Sequence, residues 1–143
     1  MDLLLPALGA SAATRRHWTG TTALPGGDFN GLDFEGYVAS FRSSRAWIPE
    51  ALARRYVRAY GNRVLRFAGH ATSLADLGEQ VAPGVYSAEL TYLVKEEWAL
   101  TADDVLWRRS KLGLHLDQDA RQAVATWLKQ HVLSRPVAVS ASC

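Results

Sequence analysis

The sequence predicts an all-α fold, five or six short helices in a compact irregular bundle. Three observations lead there. Apolar residues recur at i, i+3, i+4 and i+7 in several separate windows, whereas period-2 alternation is scarce. Helix-capping residues, Asp33, Thr101 and Asp117, stand immediately before such windows. Glycines at 61, 69 and 113 stand where the windows end. No internal repeat is present.

The elements follow in order. Residues 9–16 are small and polar, a linker by composition, and 19–31, with Pro25-Gly26-Gly27, form an irregular loop. Asp33 caps a helix whose Phe34, Tyr37, Val38 and Phe41 share one face. Pro49 opens the next helix, Leu52, Tyr56 and Tyr60 line it, and Gly61 closes it. Residues 62–67 form another short helix, and 73–84 a turn and loop punctuated by Pro83-Gly84. The strongest apolar-periodic stretch, 85–100, is too long for a strand and reads as a helix over 86–100. Thr101 then caps a helix with Asp103 and Asp104 in its first turn, where the helix dipole favours acids. Asp117 caps the last helix, with Ala120, Val124, Trp127, Leu128 and Val132 on one side. The expected organisation is a linker or remnant of an upstream domain at 1–17, a helical domain at 18–134 and a disordered tail at 135–143.

The 143 residues suit one domain, and 48% hydrophobic residues suffice for a core. Sixteen basic against fourteen acidic residues give +2, too weak a bias to argue for nucleic acid. A single cysteine, Cys143, excludes an internal disulfide framework and a cysteine metal site and suits a reducing compartment. No apolar run approaches the roughly 18 residues of a membrane span. The N-terminus fails as a secretory signal, because its apolar run is short, Asp2 precedes it, and Arg15 and Arg16 follow it. Residues 3–8 read instead as the last turn of a helix whose body lies upstream.

Chemistry-bearing motifs are missing. The glycines lack the spacing and the preceding strand of a dinucleotide fingerprint, and no phosphate loop occurs. His17, His70, His115 and His131 are scattered without ligand-like partners, and no nucleophile–base signature appears. No catalytic, cofactor-binding or metal residues are assigned.

Helical projection singles out charges instead. Glu97 falls in the middle of the apolar side formed by Tyr86, Leu90, Leu93, Val94 and Leu100. Arg109 falls in the middle of the side formed by Ala102, Val105, Leu106 and Leu112. Opposite charges on inward faces of consecutive helices predict a buried or half-buried Glu97–Arg109 pair. The alternative is that Arg109 holds a phosphate or a substrate carboxylate. Trp107 projects outward with Arg108 and Lys111, a candidate interdomain contact, and Asp104 is placed to pair with Arg108 at i, i+4.

Tyr92-Leu-Val-Lys-Glu-Glu-Trp-Ala-Leu-Thr-Ala-Asp-Asp-Val-Leu-Trp-Arg-Arg-Ser-Lys-Leu-Gly-Leu114 resembles the hallmark stretch of aerobic, FAD-dependent glycerol-3-phosphate dehydrogenases. Leu24-Pro-Gly-Gly-Asp-Phe29, Leu52-Ala-Arg-Arg-Tyr-Val-Arg-Ala-Tyr-Gly61 and Asp76-Leu-Gly78 are similar to that family in the same order. The resemblance, over residues 18–128, implies the family's all-helical C-terminal cap, which follows the FAD and substrate domain. It implies a whole enzyme that oxidises sn-glycerol 3-phosphate to dihydroxyacetone phosphate and passes electrons to quinone. That enzyme is expected to be cytoplasmic, peripheral at the inner membrane. FAD is expected on an N-terminal domain, the flavin domain of the same protein is the expected partner, and this fragment alone is not expected to be active. A homodimer is a further expectation, since in the isolated domain Leu3, Leu4 and Leu5 would lose their usual covering. The competing reading is a free-standing helical interaction module. Its nucleic-acid version would use residues 101–113 as a recognition helix, against which Asp103 and Asp104 would repel phosphates.

Overall fold

The computed structural model describes residues 22–132. The expected segments at 1–17 and 135–143, with Cys143 and the leucines at 3–5, lie outside the described residues. Helix α1, Phe34–Ser43, starts at Asp33, whose carboxylate accepts the Gly36 amide at 2.7 Å. It buries Tyr37, Val38 and Phe41, three of the four residues expected on that face. Helix α2, Glu50–Tyr60, follows Pro49 and packs on α1 through Leu52, Ala53, Tyr56, Val57 and Tyr60.

Gly61 ends α2 at φ +55°, a left-handed conformation that side chains with a Cβ resist. Space excludes a larger residue as well: a Cβ there would lie 1.8 Å from the Gly26 carbonyl oxygen. That same oxygen accepts the Asn62 amide at 3.0 Å, so the Pro-Gly-Gly loop is stitched to the end of α2. The chain continues through a 3₁₀ turn, Gly61–Val64, into α3, Leu65–Ala68.

The segment expected as turn and loop holds more order than that. Asp76 accepts the amides of Thr72 and Ser73 and sets up a 3₁₀ turn at Ala75–Leu77. A small antiparallel hairpin follows, β1 (Gln80–Ala82) and β2 (Val85–Tyr86), turning through Pro83 and Gly84. The fold is thus all-α apart from this two-stranded ribbon. The hairpin takes Tyr86, the first residue of the expected long helix, and the helix ends before residue 100, so α4 spans Ser87–Glu96.

Trp98, at φ +54°, then breaks the chain direction. Thr101 caps the next element as expected: its hydroxyl accepts the Asp104 amide at 3.2 Å, while the Asp104 carboxylate accepts the Thr101 amide at 3.0 Å. That element, Asp104–Arg109, is π-helical rather than α-helical, with the Ser110 amide donating five residues back to Val105 at 3.2 Å. Lys111, at φ +59°, and a 3₁₀ turn at Leu112–Leu114 lead to α5, Gln118–Val132. Asp117 caps α5 by accepting the Ala120 amide at 2.8 Å, and Ala120, Val124, Trp127 and Leu128 face inward.

One core joins these pieces, with Ile48, Tyr56, Val57, Val64, Leu77, Val85, Leu90, Leu93, Val105 and Val124 all under 2% exposed. Phe67 sits edge-on to both Tyr56 and Tyr60 at 5.0 and 5.3 Å, and Tyr60 edge-on to Tyr92 at 5.5 Å. Each such contact adds about 0.5–1.5 kcal/mol beyond area burial. This aromatic cluster fixes α2 against α4.

Candidate functional site

Two carboxylates on α4 organise the polar interior. Glu89 is fully buried. Its two oxygens accept the Arg55 guanidinium fork at 2.7 and 2.8 Å, and one also accepts the Tyr60 hydroxyl at 2.5 Å. The second Arg55 nitrogen also donates to the Gly84 carbonyl at 2.6 Å, so this cluster ties α2, α4 and the hairpin turn together. Burial, and then the Glu89 charge, hold the Tyr60 phenol well above its ordinary pKa. Burial works against the Arg55 charge, but the hydrogen bond and charge of Glu89 outweigh it and leave Arg55 firmly protonated.

Glu97 is the second carboxylate, and here the structure corrects the expectation. Its partner is Arg63, at 2.5 Å, with the Tyr92 hydroxyl donating to the same oxygen at 2.7 Å. Arg109 takes no part. Two departures from a regular α-helix account for this. Glu97 caps α4 instead of lying inside it, because the chain turns at Trp98. The π-helical turn advances less per residue than an α-helix, so Ser110, not Arg109, returns beneath Val105. Arg109 is therefore rotated from the core side to the exposed side of its helix. The two residues still line one cleft, with Arg58, Tyr60 and Arg63. Burial, with the bond to Glu97, pushes the Tyr92 hydroxyl up to about 12.

The other singled-out residues lie on the outer face, as projected. Trp107 is 37% exposed; its ring lies over Gly113, where an added Cβ would come within 2.6 Å, and the Arg121 guanidinium sits 5.4 Å from the ring centre. Arg108 pairs with Asp104 at 2.6 Å, which holds the Asp104 carboxyl far below its usual range, helped by Thr101. The Lys111 ammonium donates to the Trp107 carbonyl and closes the π-helical turn. In the same stretch of sequence, Trp98, Leu100 and Leu114 are also exposed, Trp98 by 78%.

Sequence reasoning missed the Glu89 cluster. The signal was there in Tyr92: counted as inward-facing, it shifts the centre of the α4 apolar side toward Glu89. Among the described residues, no group of three His, Cys, Asp or Glu side chains is placed to hold a metal. A flavin pyrophosphate needs a glycine turn between a strand and a helix N-terminus. Here β2 runs straight into α4 through Tyr86-Ser87, so that junction does not fit the group.

Fold and ion-pair scaffold define a small all-α domain held by Arg–Glu bridges between its own helices. The chain belongs to the family described as the C-terminal domain of alpha-glycerophosphate oxidase, whose model matches residues 17–132. It is 42% identical over 118 residues to the aerobic glycerol-3-phosphate dehydrogenase of Escherichia coli K12, covering 82% of this chain and 23% of that protein. It is 40% identical over 119 residues to a glycerol-3-phosphate dehydrogenase of Pseudomonas aeruginosa, covering 83% of this chain and 23% of the relative. It is 38% identical over 110 residues to the D-erythritol 1-phosphate dehydrogenase of Brucella abortus, covering 77% and 22%. The chain thus spans under a quarter of the length of the curated relatives it matches.

Proposed function

We propose that this chain is the non-catalytic, helical C-terminal part of an FAD-dependent glycerol-3-phosphate dehydrogenase. The observation that carries the reading is the match itself: 42% identity over 82% of this chain, confined to 23% of the E. coli enzyme. In the whole protein, oxidation of sn-glycerol 3-phosphate to dihydroxyacetone phosphate would deliver two electrons to FAD and then to quinone. Both cofactor and substrate would sit on the flavin domain outside this chain, at the cytoplasmic side of the inner membrane. No described helix is long and apolar enough to cross a membrane.

This chain's contribution is a surface. Trp107, Arg108 and Lys111 are proposed to face the flavin domain. The reading is supported by Trp98, Leu100 and Leu114, exposed apolar side chains from the same stretch of chain. Pairing of two copies of the whole protein is proposed as well and is tested by its mass in solution.

The direct test is spectroscopic. The purified 143-residue chain should be colourless and should not oxidise glycerol 3-phosphate, whereas the product of an open frame continuing upstream should bind FAD and do so. A flavin bound by this chain alone would overturn the reading. The 38% identity to the erythritol-phosphate enzyme favours a second reading, another polyol phosphate as substrate. Assaying the full-length protein on both substrates separates the two.

A further inference from the structure

We propose that the groove between α2 and residues 109–115 binds a phosphate-bearing anion, gripped by Arg58, Arg109 and Lys111. This stands on the geometry of the groove and does not depend on the enzymatic reading. Two adjoining clefts, each of about 370 Å³, share Arg58, Ala59 and Arg109 as common walls. Lys111 and His115 close the outer one. Clefts of this size accept small phosphorylated molecules.

The charges in the groove do not cancel. Glu97 is the one carboxylate among its lining residues, and Arg63 and Tyr92 already engage it. Arg55, also on the wall, is held by Glu89. Arg58, Arg109 and Lys111 make no ion pair with the described residues, although the Arg58 guanidinium also lies 5.6 Å from the Phe34 ring centre and feels the Glu35 charge on α1. The Lys111 ammonium donates to the Trp107 carbonyl and keeps further N–H groups for a ligand. Like charges gathered in a concave site repel one another and are relieved by a bound anion. A guanidinium fork matches the oxygen spacing of phosphate, and Arg58 and Arg109 both line the groove.

The π-helical turn is the second, independent observation. An ordinary helix would put Arg109 against the core; the wider turn places it in the groove instead. Such irregular turns gather at functional sites. Ala59 and Leu112 add a small and an apolar side chain to the groove lining.

Soluble phosphate monoesters and anionic lipid headgroups present the same chemistry, so the test has two arms. Inorganic phosphate is titrated into the ¹⁵N-labelled chain at constant ionic strength, with chloride as the compensating salt. Vesicles of phosphatidylglycerol, with phosphatidylcholine as control, are tested in parallel by co-sedimentation. Saturable shifts at residues 58–59 and 109–115 are expected. Arg109→Gln and Arg58→Gln should each weaken binding about tenfold, the loss of one charge-assisted fork, with unchanged circular dichroism. Lys129→Gln, on α5, should bind as the parent does. Phosphate binding without vesicle binding assigns a soluble ligand, and vesicle binding abolished by Arg109→Gln assigns a headgroup. If neither probe binds saturably, or the arginine variants behave as Lys129→Gln, the proposal is overturned.

Discussion

Two clusters on α4 share one design and differ in burial. In each, an arginine from α2 or the turn after it meets a glutamate 34 residues later, and a tyrosine hydroxyl adds a bond to the same carboxylate. Arg55, Glu89 and Tyr60 make the inner copy; Arg63, Glu97 and Tyr92 make the outer one, eight positions further along both segments. The Glu89 side chain is 0% exposed and that of Glu97 is 26% exposed. A third bridge, Arg66–Glu96, runs from α3 to α4 and has its glutamate 42% exposed. The chemistry is nearly constant across the series, so the energetic differences should follow from solvent.

The inner cluster gives the largest effect. Glu89→Leu leaves Arg55 without its counter-charge and Tyr60 without its acceptor, and should cost about 3–5 kcal/mol in urea unfolding. Adding Arg55→Met and Tyr60→Phe should recover most of that loss, because an apolar replacement of a whole buried pair is often nearly neutral. A triple variant no more stable than the single one would break the comparison, since the worth of the cluster would then lie in packing alone.

Alkali gives the next effect. Tyr60 and Tyr92 both have raised folded-state pKa values, burial being the first cause in each. The folded chain therefore holds these protons more tightly than the unfolded chain, whose tyrosines titrate near 10. Stability is fully present below that value and falls as pH rises, through about 12 for Tyr92 and beyond it for Tyr60. Tyr92→Phe should make the loss of stability between pH 10 and 12 shallower by about one proton's worth of slope, while Tyr60 and Tyr56, both also raised, keep contributing in that window and beyond it. An unchanged slope in that window would remove the outer tyrosine from the account.

The outer carboxylate comes third. Glu97→Gln weakens bonds to Arg63 and Tyr92 at a site open to water, and about 1–2 kcal/mol is expected. A loss as large as that at Glu89 would show that the cleft excludes water despite its opening.

The helices were legible wherever local chemistry sets them. Asp33, Thr101 and Asp117 cap three elements, and Gly61 ends one, because caps act through neighbours in the chain. The hairpin at 80–86 was not legible, since its two short strands are specified by pairing and by packing against α5 rather than by alternation. The Glu97–Arg109 pairing failed for a related reason. A projection at 100° per residue assumes regular helix through both residues, and Trp98 and the π-helical turn interrupt it on each side. Arg63 is 34 residues from Glu97 and is found only through tertiary structure. The outward face of Trp107, Arg108 and Lys111 was legible because it lies within one element, as was the Asp104–Arg108 pair.

The third bridge is the smallest effect and the sharpest control on the series. Arg66 and Glu96 join α3 to α4 with both side chains well exposed, 53% and 42%. Bulk water screens their attraction, and ordering two long side chains offsets part of what remains. Arg66→Gln should therefore change stability by less than about 1 kcal/mol, and that change should shrink further at about 1 M salt. The Glu89→Leu loss should hardly respond to the same salt, because ions do not reach its site. A salt-insensitive loss at Arg66 equal to that at Glu97 would mean that burial does not grade the three bridges, and the connection between α3 and α4 would then have to be rigid in its own right.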